Sequence, residues 1–572
     1  MTIDRIFPAL SWLKSYTRTQ FGQDATAAFI VTMLLIPQSL AYAMLAGVPP
    51  EVGLYSSILP LVLYAFFGTS TSLSVGPVAV ASLMTATSLA AIADQGTVSY
   101  LTGAITLALL SGCMLIMMGV MQLGMVTNLL SHSVISGFIS ASGIIIALSQ
   151  LKHILGIQAH GDNVITQSLS MLESIGEFKP VTFAVGISVV LFLLLARRYA
   201  KQLLLMLNIP ENYATSLSKT APIIGVLSSL AIVYAYNLQS HGVAITGNIP
   251  AGLPQLGLTF PSIELIRDLA LPALMISIIG YVESISVGKT LGAKRREKVQ
   301  PNQELIGLGA ANIASSLSGG FPVTGGFSRS IVNFDAGAVT QLAGVMTAIG
   351  IMIASLVLTP ILFFLPKATL AATIIVAVTS LIDFSILKKT WAFSRSDFYA
   401  VLATIVITLL LGVEIGVASG VGLSILLHLS RTSRPHVAEV GLIEGTEHFR
   451  NVKRYDVKTY PHLLNLRPDE SLFFVNAAFL EDHIIDSINL RKEITDVVIQ
   501  CSAVNEIDFS ALEMLEALNS QLATLNVRLS LSEVKGPVMD HLEYSGLLQH
   551  LSGKVYLSQY QAFQDLSKRV NL

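Results

Sequence analysis

From about residue 25 to about residue 430 the chain is almost continuously apolar, and this stretch limits the fold more than any other feature. Apolar runs of about 20 residues are the length of helices that cross a bilayer. Charged residues are only 12% of the whole chain, against about 25% in soluble domains. The deficit lies within this stretch, and the polarity after it is ordinary. Four regions follow. Residues 1–24 hold Arg5, Lys14 and Arg18 without a cleavable apolar core and read as a cytoplasmic N-terminal segment. Residues 25–432 form a transmembrane domain, 433–452 a linker, and 453–572 a cytoplasmic soluble domain.

Within the apolar stretch, Phe321 to Phe334 reads FPVTGGFSRSIVNF. Pro322, Gly325 and Gly326 break a regular helix where a span should be, and Arg329 follows them. An arginine at membrane depth costs roughly 2.5–3.5 kcal/mol on insertion scales, so it usually faces a cavity and has a task. A Gly/Pro-broken segment of this kind also points to a transporter binding site. The expected structure is a short half-helix beginning near Phe327. Its free N–H groups and positive dipole end would point, with Arg329, at an anion. The competing reading is a surface loop with a snorkelling arginine.

A second interruption lies at Gly76-Pro77, in SVGPVAVASL, before a short apolar run from Val78 to about Ala93. Two broken segments in corresponding places suggest an inverted repeat with a site where they meet. The first span, about 25–46, contains Gln38 and Tyr42 four apart, on one face of an apolar helix. Such a pair looks into a cavity or makes an interhelical hydrogen bond. About 14 spans are expected in all. Their loops place Lys294, Arg295, Arg296, Lys298, Lys388 and Lys389 on one side, and Lys152, Lys179, Arg267 and Lys367 mainly on the other. By the positive-inside rule the N-terminus and the C-terminal domain are cytoplasmic, as in a multi-pass protein of the cell (inner) membrane.

Glu283 lies well inside a span, 46 residues before Arg329. Burial disfavours its charge and a nearby cation favours it, so such a group can trade protons. Alternatively it forms a purely structural pair with Arg329. In the soluble part, SLFFVN, DVVIQC and VRLSLSE read as strands, alternating with helices over 477–490, 510–523 and 537–548. That is a small α/β sheet domain, with Ser510 placed as a helix N-cap. No basic tract suggests nucleic acid. Cys113 and Cys501 give neither a disulfide framework nor metal spacing, and no cofactor is implied. No nucleophile–base pair appears, which argues against an enzyme.

IPQSLAYAMLAGVPPEVGLYSS, SVGPVAVASL and the run from Lys289 to Asn333 that contains SLSGGFPVTGGFSRSIVN together resemble the sulfate permease (SulP) family of anion transporters. The likeness covers nearly the whole chain. The tail resembles the STAS (sulfate transporter and anti-sigma factor antagonist) domain. The resemblance implies an α-helical polytopic membrane protein of seven plus seven spans in inverted repeats, divided into core and gate domains and often dimeric. It implies an anion site at Gln38, Tyr42, Val78, Ala79, Phe327, Ser328 and Arg329, and a coupling carboxylate at Glu283. Thr71 stands where the family usually has Lys or Arg. Asp508-Phe509-Ser510-Ala511 lies on the family's Asp-Ser-Ser-Gly phosphorylation motif, matching at the first and third positions, which makes Ser510 a candidate regulatory residue.

The functional expectation is proton-coupled sulfate uptake by alternating access. The partners are sulfate, a proton, membrane lipid, a second copy of the chain and a cytoplasmic protein that binds the STAS domain. The alternatives are sodium-coupled bicarbonate or dicarboxylate transport on the same scaffold, or a membrane sensor signalling through the STAS domain.

Overall fold

The computed structural model describes residues 7–568 apart from 91, 94–97, 126–130, 160, 162, 219, 248, 251 and 258–260. Residues 1–6 of the N-terminal segment, with Arg5, lie outside the described residues. The chain divides into two units, Met1–Ser424 and Ile425–Leu572.

Among the described residues of the first unit, six helices are long and apolar enough to cross a membrane: Arg18–Ala46, Pro50–Phe67, Ser99–Val120, Ser133–Leu155, Pro180–Met206 and Ile263–Arg295. Shorter apolar helices follow the same pattern at Ala79–Ala90, Ala221–Ala235, Leu342–Val357 and Lys367–Val378. Pro301–Leu317 and Arg395–Leu411 occupy further expected spans, and Val413–Thr432 lies where the last one was expected. The first helix starts earlier than expected. Thr17 and Gln20 form a reciprocal capping box at its N-terminus, so it already runs through the N-terminal segment. Asp24, fully buried, accepts hydrogen bonds from Val339 N at 2.6 Å, Thr340 N at 3.1 Å and Thr340 Oγ1 at 2.6 Å. This carboxylate ties the first helix to the chain that follows the segment around Arg329.

The two interrupted segments are built alike. Each is a two-residue strand running into a short helix: β1 (Val75–Gly76) before Ala79–Ala90, and β2 (Thr324–Gly325) before Phe327–Asp335. β1 and β2 pair antiparallel, Val75 opposite Gly325 and Gly76 opposite Thr324. Unpaired backbone at membrane depth would cost several kcal/mol per group. Here the two breaks satisfy each other. Side chains complete the pairing: Ser284 Oγ accepts from Gly325 N at 2.8 Å, and Asn312 holds Val323 through both its N–H (2.9 Å) and its carbonyl (2.8 Å).

The second unit carries a six-stranded sheet in the order β4-β3-β5-β6-β7-β8. Its strands are β3 (Val437–Leu442), β4 (Phe449–Asn451), β5 (Leu463–Pro468), β6 (Asp496–Gln500), β7 (Arg528–Ser532) and β8 (Val555–Tyr556). β5 to β8 are parallel, and the helices Ala477–Leu490 and Phe509–Thr524 connect them. Two expectations are corrected. The segment 433–452 is not a plain linker, because it supplies β3 and β4, and β3 pairs with β5. SLFFVN is not a strand. Asn476 folds it into a turn by accepting from Phe473 N at 3.0 Å and donating to Ser471 O at 2.9 Å, leaving only Leu472 bridged to Ile507. A short polar side chain that bonds its own backbone outcompetes the ladder.

Candidate functional site

The breaks put two helix N-termini at one place. Gly326 precedes the helix Phe327–Asp335, and no side chain caps that helix. The N–H groups of its first turn are therefore left without intrahelical partners. At the other half-helix, Ser82 N bonds back to Val78 O at 2.9 Å, so the free N–H groups there are those from Val78 to Ala81. Each such end carries about half a positive charge.

Between these ends lies a cavity of about 40 Å³. Gln38, Tyr42, Val78, Ala79, Phe327, Ser328, Arg329 and Glu283 all line it. The seven residues expected at the anion site and the expected coupling carboxylate therefore border one small volume. Gln38 and Tyr42 arrive from the first helix, four residues apart on one face as expected. Glu283 arrives from the helix Ile263–Arg295. That helix is fixed against β2 by Thr324 Oγ1, which donates to Gly280 O at 2.8 Å.

Arg329 is 2% exposed and is the largest of the fully buried side chains. Its Nη2 donates to Thr324 O at 3.2 Å, while Nε and Nη1 have no protein partner. A buried donor without a partner costs about 1–3 kcal/mol, more when charged. Among the described residues no ion pair joins Arg329 to Glu283, although the two border the same cavity. The surface-loop reading does not describe this arginine. The guanidinium lies against bare backbone. A Cβ on Gly76 would sit 2.8 Å from Nη1, and a Cβ on Gly326 would sit 2.7 Å from Nε. A side chain at either position would therefore have to displace the guanidinium.

Sequence reasoning missed several parts of this arrangement. Ala377, Val378, Ser380 and Leu381, at the end of Lys367–Val378, form one wall of the cavity. An apolar helix end carries no signal for that role. Glu304 was also missed. Fully buried, it accepts from Tyr64 OH at 2.6 Å, Thr69 N at 2.7 Å, Thr69 Oγ1 at 2.6 Å and Ser70 N at 3.0 Å. It holds the chain that leads into β1. Thr71, in the same loop, donates its hydroxyl to Glu297 Oε2 at 2.6 Å.

In the second unit the expected cap is corrected. Asp508, not Ser510, caps the helix Phe509–Thr524, accepting from Ala511 N at 2.9 Å. Asp508 has the extended backbone that a cap needs, whereas Ser510 already lies inside the first turn with its side chain exposed. Asp508 also accepts from Phe474 N at 2.8 Å.

A family model for the sulfate permease family matches residues 21–404, and one for the STAS domain matches residues 454–562. Over 566 residues the chain is 35% identical to Sulfate transporter 4.1, chloroplastic, of Arabidopsis thaliana, covering 96% of this chain and 81% of that one. It is 31% identical to a probable sulfate transporter of Mycobacterium tuberculosis, covering 98% of both. In fold it is similar to the murine anion transporter Solute Carrier 26 family member A9 in the inward-facing state. That likeness has a TM-score of 0.89 at 24% identity and covers 99% of this chain and 94% of the other. The transmembrane domain of a cyanobacterium bicarbonate transporter is similar at a TM-score of 0.60 and 23% identity, over 71% of this chain and 99% of that domain.

Proposed function

The chain belongs to the sulfate permease family, and from that premise we propose that it carries sulfate across the membrane together with a proton, by alternating access. One observation bears most of the weight: a fully buried arginine with two unpartnered donor nitrogens, bordering the cavity where two half-helices begin, one of them without a side-chain cap. Arg329 contributes +1 and each helix end about +0.5, together about +2, which suits a divalent oxyanion. Gln38 and Tyr42 add neutral donors on the facing wall. Arg329 is the part that reads charge, because its fork of N–H groups matches the edge of an oxyanion.

Glu283 supplies the coupling. Ionised, it would subtract one charge from a site balanced for a dianion. Protonated, it leaves the balance intact, so the arrival of anion and proton favour each other. The bilayer in question is the cell (inner) membrane, with the N-terminus and the STAS domain cytoplasmic and the chain paired as a homodimer. Ser510, exposed in a helix first turn, is where a phosphate would be electrostatically welcome. A cytoplasmic partner of the STAS domain would read that change.

The deciding experiment is uptake of labelled sulfate into proteoliposomes with and without an imposed pH gradient. Uptake that rises with an inward proton gradient is expected. Equal uptake in both conditions removes the coupling. Competition by bicarbonate or dicarboxylates in place of sulfate moves the substrate assignment to those anions. Little net flux in the parent, with partner interaction and phenotype lost when residues after about 450 are deleted, favours a sensor.

A further inference from the structure

A second and larger cavity, of about 400 Å³, lies at the other end of the half-helix Ala79–Ala90. Val78 to Val80, at the start of that helix, border the small site, whereas Leu83, Ala86, Thr87 and Ala90, from its later turns, border this one. The end of the first helix contributes Met44 and Leu45, and the turn after it Gly47 and Val48. The charged lining comes from elsewhere: Lys152 and His153 from the end of His132–Leu155, and Lys367 from the start of Lys367–Val378. No Asp or Glu is among the described residues that line it.

Two observations show what such a space accepts. The first is polarity. Gln150 and Gln167 are 2% and 7% exposed, both line the cavity, and the Oε1 of each lacks a protein partner. Their amide nitrogens are used, on Ser149 Oγ at 3.1 Å and Gly161 O at 2.8 Å. The unused atoms are acceptors, so they call for water or another donor and not for the anion itself, and not for a lipid chain. The second is the sign of the charge. Lys152 sits in a last helical turn, where the dipole suits a cation, and its Nζ donates to Ala159 O at 3.2 Å. That residue alone requires nothing more. Lys367 is the first residue of its helix, at the electropositive end, where a cation has the wrong sign. Both lysines border one space from different helices, and an anion held in it would neutralise both.

We propose that this cavity is a second anion site, distinct from the one at Arg329, which holds a small oxyanion such as sulfate with part of its hydration shell. At about 400 Å³ it is some tenfold larger than the cavity at Arg329, and a water needs only about 10–15 Å³ of such space. Two ammonium groups supply the +2 that a dianion needs. The space therefore gathers sulfate by charge, with water between, while the Arg329 cavity grips it directly.

The test is saturation binding of labelled sulfate to the purified full-length protein at low ionic strength. The parent is expected to bind two sulfates per chain. The double variant Lys152→Gln/Lys367→Gln should bind one, Arg329→Ala should bind one, and the triple variant none. The charge-keeping pair Lys152→Arg/Lys367→Arg should restore two. In parallel, removing both lysines should raise the sulfate concentration that half-saturates uptake by roughly tenfold, the lower end of what charge focusing supplies. A parent that binds a single sulfate, lost in Arg329→Ala, overturns this second site and keeps the first. A single sulfate lost only with the lysines does the reverse. Two sulfates retained by the lysine double variant also overturn the proposal.

Discussion

Gly76 and Arg329 meet across the two halves of the membrane unit: a side-chain carbon on the glycine would sit 2.8 Å from the arginine's Nη1. Gly76 belongs to β1 and Arg329 to the helix that follows β2, so the strand pairing itself sets their separation. The guanidinium is the movable partner and the backbone is not. Gly76 also holds φ +157, which an L side chain rarely adopts, so Gly76→Ala should strain β1 as well as displace the guanidinium. Sulfate affinity should fall by about tenfold or more, or about 1.4 kcal/mol. Equilibrium binding beside a thermal-unfolding curve checks this, and unchanged affinity would mean that Arg329 is not the anion's ligand.

Arg329→Ala should abolish sulfate binding at this site without lowering stability, because it removes a buried charge whose Nε and Nη1 have no partner. Arg329→Lys should rescue little. An ammonium is a point charge on a flexible stem and cannot present two donors in a fixed fork. If lysine restores full affinity, charge alone is being read and the fork geometry is irrelevant.

Glu283→Gln keeps the size of the side chain and removes its ability to ionise. Sulfate should still bind, and uptake should lose its dependence on an imposed pH gradient. The sign follows from the charge count. The parent is favoured by acid on the side from which sulfate enters, because protonation lifts the opposing −1. The variant should behave at neutral pH as the parent does in acid. The measurement is labelled-sulfate uptake at several pH values. A gradient response in the variant equal to the parent's would move the proton to another group.

Glu304→Ala should damage the fold and not the site. It strands Tyr64 OH, Thr69 N, Thr69 Oγ1 and Ser70 N in a buried place. At 1–3 kcal/mol for each stranded donor, the loss should reach about 3 kcal/mol or more. A thermal melt of the detergent-solubilised protein reads it. Protein that remains folded should still bind sulfate, which separates Glu304 from the residues of the cavity.

What was legible in the chain depended on whether a residue was out of place. Pro77, Gly76, Gly325, Gly326 and Arg329 violate the rules of an apolar helix, so they announced both interruptions and the cation between them. Gln38, Tyr42 and Glu283 were visible for the same reason. The pairing of β1 with β2 was not visible, because two-residue strands have no periodicity to detect. Glu304 and Asp24 were hidden because a carboxylate near a span end looks solvated until its donors, from far along the chain, are in place. In the second unit, DVVIQC and VRLSLSE were legible as strands, whereas β3 and β4 lay in a stretch polar enough to resemble a connector. SLFFVN misled because its composition favours a strand and only Asn476, by bonding its own neighbours, makes it a turn.

The start of the helix Phe509–Thr524 separates the roles of Asp508 and Ser510, of which the sequence alone points to Ser510 as the cap. Asp508 accepts from Ala511 N and from Phe474 N, so it closes the helix and holds the preceding turn. Asp508→Ala should lower the stability of the soluble unit by about 1–2 kcal/mol, the usual cost of a lost cap. Ser510→Ala removes an exposed hydroxyl and should change stability by no more than about 0.5 kcal/mol. Hydrogen exchange over residues 509–524 in the full-length protein distinguishes them, with faster exchange expected only in Asp508→Ala. If Ser510→Ala exposes the helix equally, the hydroxyl is part of the cap. Its proposed freedom to accept a phosphate would then be lost.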